Sequence, residues 1–109
     1  MPAEKPPQPP VAYVLVEMNI TDSERYKQYM AEAPATLEAH GGEYLVRGGR
    51  HEALEGDWQP HRVAVLGFPS YAQAKAWYDS EQYRRARARR AGATEYFNMV
   101  LVEGVAAPV

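Results

Sequence analysis

The first apolar run of the chain, Ala12-Tyr13-Val14-Leu15-Val16-Glu17-Met18, is hydrophobic at consecutive positions apart from Glu17. That pattern predicts a strand covered on both faces. Downstream, Tyr26, Met30, Ala33 and Leu37 recur at intervals of 4, 3 and 4 residues, the inward stripe of an amphipathic helix. Thr21 or Asp22 supplies a side-chain oxygen to cap its first free N–H groups. Pro34 lies inside the stripe and predicts a kink near Met30 or the start of a second segment. His40-Gly41-Gly42 ends the helix.

Glu43 to Arg47 then reads as a short strand, with Gly48-Gly49 turning the backbone after it. Residues 50–61, with Gly56, Asp57 and Pro60, read as a surface loop, and Arg62 to Phe68 as the next strand. Pro69 and Ser70 open a helix that turns Ala74, Trp77 and Tyr78 inward. Ser80 caps a further helical stretch over residues 81–91, closed by Gly92, and residues 95–103 form the last strand.

The order β-α-β-β-α-β predicts an α+β fold, a four-stranded antiparallel sheet with its helices on one face. Strands one, three and four are apolar at successive positions, so the face away from the helices also calls for burial. A second copy of the chain, sheet against sheet, would supply it.

Composition narrows the reading. At 109 residues the chain is one domain, assigned to residues 11–105, with a proline-rich tail at 1–10 and a short tail at 106–109. The tail formally contains PxxP spacing (Pro6 to Pro9, Pro7 to Pro10), which is read as a solvated segment. A net charge of −2 argues against a general polyanion binder, so no nucleic-acid partner is expected. The absence of cysteine excludes disulfides, thiolate metal sites and cysteine nucleophiles. With no apolar run near the roughly 20 residues of a membrane helix and no leader-like pattern, the expectation is a cytoplasmic protein without a membrane partner.

Several pieces together carry a family resemblance: His40-Gly41-Gly42, Arg47-Gly48-Gly49, Leu54-Glu55-Gly56-Asp57-Trp58, Arg62, Phe68-Pro69-Ser70, Trp77-Tyr78, Ser80, Tyr83 and Leu101-Val102-Glu103-Gly104. Over residues 11–105 the chain resembles the bacterial domain-of-unknown-function 1330 family of the dimeric α/β-barrel superfamily. The resemblance implies a ferredoxin-like monomer that pairs into a homodimeric barrel. Superfamily relatives include cofactor-free monooxygenases, lactone isomerases and haem-handling proteins, yet function resides in sites and not in folds, so no reaction transfers. The proline tail and the arginine-dense second helix depart from the family pattern.

Arg47 is the leading candidate for ligand binding, because a guanidinium fork at a strand end flanked by glycines suits a carboxylate or enolate. The competing reading pairs it with Glu43, Glu55 or Asp57 to staple the loop. Arg62 is a second candidate of the same kind. Tyr44, Trp77 and Tyr78 belong to an aromatic-rich space, with Tyr26, Tyr29, Tyr83 and Tyr96, that would hold a flat phenolic or quinone-like ligand or serve as plain core. Asn98 and Glu17 interrupt neighbouring apolar strands and are expected to meet each other or a ligand. Acid–base chemistry would fall to His51 near Arg47 and to Glu55, within a lid shielded by Trp58; the alternative places Trp58 at the dimer seam.

His51, Glu55, Asp57 and His61 share one loop, but no pattern completes a metal triad, and neither metal nor cofactor is expected. His40 is expected to bind the carbonyls ending its helix. Arg84, Arg85, Arg87, Arg89 and Arg90 spread around their helix, either as a solvated surface or as a phosphate contact. The function read from these features is a small-molecule-binding dimer. One version is a cofactor-independent monooxygenase- or isomerase-like enzyme acting on an anionic or phenolic compound; the other is a non-catalytic dimer that binds a ligand or a partner protein.

Overall fold

Seven elements build the chain in a computed structural model that describes residues 11–105: β1 (Ala12–Ile20), α1 (Ser23–Ala39), β2 (Glu43–Arg47), β3 (Arg62–Phe68), α2 (Tyr71–Asp79), α3 (Glu81–Ala88) and β4 (Thr94–Glu103). The expected tails at 1–10 and 106–109, with the PxxP spacing, lie outside the described residues. The strands form one antiparallel sheet in the order β2-β3-β1-β4. With the helices on one face, this is the α+β, ferredoxin-like arrangement. No helix among the described residues is long and apolar enough to cross a membrane.

Strand alternation decides what faces the helices. Ala12, Val14, Val16 and Met18 of β1 and Ala64, Leu66 and Phe68 of β3 are buried there, joined by Phe97, Met99 and Leu101 of β4. Register aligns them in rows: Val14 stands between Leu66 and Leu101, Val16 between Ala64 and Met99, and Met18 between Arg62 and Phe97. The opposite face carries Leu15, Val100 and Val102, which are 41%, 56% and 42% exposed. The second apolar face predicted by the unbroken strand pattern is therefore real, and in a single chain it is largely open.

The helix ends follow their capping chemistry. Asp22, not Thr21, caps α1 by accepting from the Arg25 backbone N–H at 3.1 Å. Ser80 ends α2 and begins α3, its hydroxyl accepting from the Tyr83 N–H at 3.0 Å. Two expectations are corrected here. Pro34 does not start a second segment: α1 runs unbroken over 17 residues. Proline removes one backbone donor, but burial of Tyr26, Tyr29, Ala33 and Leu37 on both sides of it holds the helix together. Similarly, α3 ends at Ala88, and turns carry the chain from there to Gly92, whose φ of 80° takes the left-handed conformation that suits glycine.

A bulge in β2 changes which side chains reach the helices. Tyr44 lies opposite Leu66, but Val46 lies opposite Val65 and Arg47 opposite Ala64, so Leu45 is the extra residue. Simple alternation would send Tyr44 and Arg47 to opposite faces. The inserted residue puts both on the helix side.

Candidate functional site

Between α1 and the β2 end of the sheet is a small void of about 30 Å³, room for a water-sized guest. Met18, Tyr26, Tyr29, Leu66 and Phe97 line its interior, while Tyr44, Arg47, Arg62 and Met30 complete the wall toward the sheet edge. Four of the expected ligand-binding residues, Tyr44, Arg47, Arg62 and Trp77, are thus brought to one cavity. The other two are not. Tyr78 lines a separate cavity with Lys75, Met99 and Leu101. Asn98 is on the opposite face of the sheet, where its amide donates to Glu17 Oε1 at 3.1 Å, the meeting of polar residues expected from strand order.

Arg47 does not staple the loop. Its guanidinium stands 4.8 Å from the centroid of the Tyr44 ring, and none of the ion pairs among the described residues includes it. Arg62 likewise has no carboxylate partner among the described residues. Its guanidinium rests against Gly48, where a side chain would collide with it and where φ is 71°. The room left by this glycine is occupied by Arg62, and so is not open to a ligand as the sequence suggested.

The aromatic groups behind the arginines form one network. Trp77 packs on Tyr83 and Phe68 at centroid distances of 4.1 and 5.3 Å, and its indole N–H donates to Thr36 Oγ1 at 3.0 Å. The Tyr29 and Tyr83 hydroxyls share a hydrogen bond of 2.8 Å. Tyr26 instead donates to the Met18 thioether, Oη to Sδ 3.0 Å. Burial pushes the Tyr26 phenol up to about 12, with the Arg62 charge pulling the other way. Tyr29 is pushed higher still, by burial and then by Tyr83, and Tyr44 is raised by burial. All three hydroxyls remain protonated donors at neutral pH.

His51 and Glu55 are not brought to this cavity. Both lie exposed on the loop between β2 and β3. The two His51 ring nitrogens lie 2.8 Å from the Pro60 carbonyl oxygen and 3.2 Å from that of Gly49. Those acceptors, Pro60 first, raise its pKa by favouring the doubly protonated ring. The imidazole ties the loop to itself. Among the described residues no group of three or more His, Cys, Asp or Glu side chains is placed to hold a metal ion, so His51, Glu55, Asp57 and His61 do not converge on one. His40 does bind its own helix end, with Nδ1 3.0 Å from the Thr36 carbonyl oxygen.

Trp58 folds over the open sheet face and donates its indole N–H to Glu17 Oε2 at 2.6 Å, leaving the ring 63% exposed. It is on the wrong face to shield the cavity. The arginines of α3 and the turn after it are also divided. Arg84 and Arg85 approach Glu81, and Arg89 pairs with Glu32 at 2.9 Å. Arg87 lies over Tyr78, and Arg90 lies 3.5 Å from the centroid of Phe97. Neither a uniformly solvated surface nor a single phosphate cradle describes them. The stacked pair was missed because a charge run shows its spacing and not which chains fold back.

Comparison with known proteins adds the family and the fold. The model of a domain of unknown function (DUF1330) matches residues 11–105. A protein of unknown function from Rhodopseudomonas palustris superposes with a TM-score of 0.71 at 19% identity, over 90% of this chain and 85% of that one. A dimeric ferredoxin-like protein of unknown function from Thermobifida fusca gives 0.57 at 15% identity, over 88% and 92%. A candidate antibiotic biosynthesis monooxygenase from Caulobacter crescentus gives 0.57 at 13% identity, over 89% and 92%. By sequence, no curated protein matches the chain.

Proposed function

Because the chain belongs to the domain of unknown function (DUF1330) family, whose name specifies no activity, we propose a function from the cavity itself: it binds a small, flat, anionic or phenolic compound. One observation carries the reading. Arg47 and Arg62, neither spent on a carboxylate among the described residues, stand together at a cavity walled by Tyr26, Tyr29, Tyr44 and Phe97. Two guanidinium groups without a carboxylate partner among the described residues, set at an aromatic wall, suit a planar anion in both charge and shape. The void of about 30 Å³ admits an aromatic ring only if its wall moves. Met30 and Arg47 are unbranched, flexible side chains able to swing outward.

The test is thermal shift and calorimetry with benzoate, salicylate, phenol and benzoquinone on the wild type, Arg47→Ala and Arg62→Gln. A ligand of the folded state raises the melting temperature by mass action. The expected outcome is a benzoate or salicylate response in the wild type, with affinity at least about tenfold weaker in each variant, as for a lost charge-assisted hydrogen bond. No response to any probe, or equal responses in all three proteins, would overturn the reading. A second reading, cofactor-independent oxygenation or isomerisation of the bound compound, is favoured by the candidate monooxygenase among the structural relatives. Product formed from a bound probe separates it from binding alone.

The open sheet face is proposed to pair with a second copy of the chain. In favour stand its exposed Leu15, Val100 and Val102 and the dimeric Thermobifida fusca relative. A dimer mass is expected in light scattering, and Val100→Glu should give a monomer, since two buried charges would face each other without partners. A monomer mass independent of concentration into the millimolar range would contradict the pairing.

A further inference from the structure

In this core, buried polar hydrogens are normally spent on oxygen. Trp77 donates to Thr36, Thr36 to the Ala33 carbonyl at 2.7 Å, and Tyr29 and Tyr83 bond each other. Arg87 Nη1 and Arg90 Nε, in arginines stacked on aromatic rings, are buried without a hydrogen-bond partner among the described residues; among the ring-bearing donors the departure is Tyr26. It is 7% exposed and its hydroxyl donates to sulfur, a weak acceptor. The Tyr44 ring lines the same cavity and carries the Arg47 guanidinium 4.8 Å from its centroid. Arg62 starts directly across the sheet from Met18, the residue whose sulfur Tyr26 contacts. Tyr26, Met18, Tyr44 and Arg62 all line the one cavity.

We infer that Tyr26 reads the anionic oxygen of the bound compound, its hydroxyl leaving Met18 Sδ to donate to that oxygen beside Arg62. The inference rests on the binding reading above and narrows the ligand to a planar aromatic compound bearing a carboxylate or phenolate oxygen that reaches the Met18 row of the sheet. The exchange is favourable in direction, because a hydrogen bond to an anionic oxygen is roughly twice as strong as a neutral one and a thioether is a poorer acceptor still. Arg62 lines the same cavity wall and pairs across the sheet with Met18, the residue that the Tyr26 hydroxyl contacts, which puts both donors at one end of the cavity. Tyr26 thereby becomes a specificity-determining residue that separates anionic ring compounds from neutral ones of the same shape.

Calorimetry with benzoate and with toluene, on the wild type, Tyr26→Phe and Met18→Leu, tests this. Phenylalanine keeps the ring and removes the donor; leucine keeps the bulk and removes the competing acceptor. Tyr26→Phe should bind benzoate about 10- to 100-fold more weakly, as for a lost hydrogen bond to a charged group, while toluene changes less than about threefold. Met18→Leu should bind benzoate as tightly as the wild type or more tightly relative to toluene. Equal weakening of both probes in Tyr26→Phe, or unchanged benzoate affinity, would overturn the inference and leave the pocket standing. If Tyr26→Phe does not fold, Met18→Leu decides: benzoate selectively weakened there overturns it. If the wild type binds neither probe, or binds benzoate without regard to Arg62→Gln, the pocket reading falls and this inference with it.

Discussion

Trp77→Ala should cost about 3–5 kcal/mol of folding stability, the range for deleting a large aromatic side chain from a packed core. The residue is 1% exposed and joins three parts of the fold. Its ring stacks on Phe68 of β3 and on Tyr83 of α3, and its indole N–H reaches Thr36 of α1. Truncation leaves a cavity at the junction of α1, α2, α3 and the sheet, where neighbours already held by hydrogen bonds cannot easily collapse inward. A domain of this size has a total stability of about 5–15 kcal/mol, so the variant should lose roughly a fifth or more of it. Urea denaturation followed by circular dichroism measures the loss, and the melting temperature should fall by more than about 10 °C. Trp77→Phe should recover most of the packing and forfeit mainly the indole bond, about 1 kcal/mol. A Trp77→Ala loss near that of Trp77→Phe would mean the ring is not the keystone its contacts describe.

The layout around Trp77 was legible from residue spacing, and the reason is physical. A helix stripe at intervals of three and four commits Tyr26, Ala33 and Leu37 to the core whatever the rest of the chain does. Apolar runs at consecutive strand positions demanded burial on both faces, and the exposed Leu15, Val100 and Val102 confirm that the second face exists. Strand order also predicted that Glu17 and Asn98 would meet, because β1 and β4 are neighbours in this topology and set the two residues opposite each other.

The site was only half legible, and single residues account for the rest. One extra residue, Leu45, turns Arg47 to the helix side, yet a bulge leaves no mark on a hydrophobic pattern only five residues long. The spacing put Tyr26 and Met30 on the inward stripe, whereas Tyr29 is buried and Met30 only partly so; which hydroxyl finds oxygen and which finds sulfur depends on Tyr83 and Met18, set by tertiary packing. Loop residues were the least readable. His51, Glu55 and Trp58 sit on a segment without periodicity, so nothing in their order showed that the loop crosses the face away from the cavity. Gly48 misled for a related reason: glycine marks a close approach but not what approaches, and here it is Arg62.

Alkali should destabilise the protein, and the buried tyrosines set the window. A phenol whose pKa is raised on folding binds its proton more tightly in the native state. Its contribution is fully present below the unfolded value of about 10 and is lost as pH rises through the folded value. For Tyr26 that window runs from about 10 to about 12, since burial outweighs the opposing pull of Arg62. Across it, Tyr26 alone withdraws on the order of 2 to 3 kcal/mol. Tyr29 acts in the same direction and over a wider range, because ionising it would place a charge in the core beside the Tyr83 hydroxyl. Urea midpoints should therefore be flat from about pH 7 to 9 and fall steeply above 10. The comparison with Tyr29→Phe isolates the phenol. That variant should start less stable, having orphaned Tyr83, but lose stability more slowly with pH. Parallel curves for the two proteins would show that Tyr29 ionises no less readily in the fold than out of it, against its burial and its bond to Tyr83.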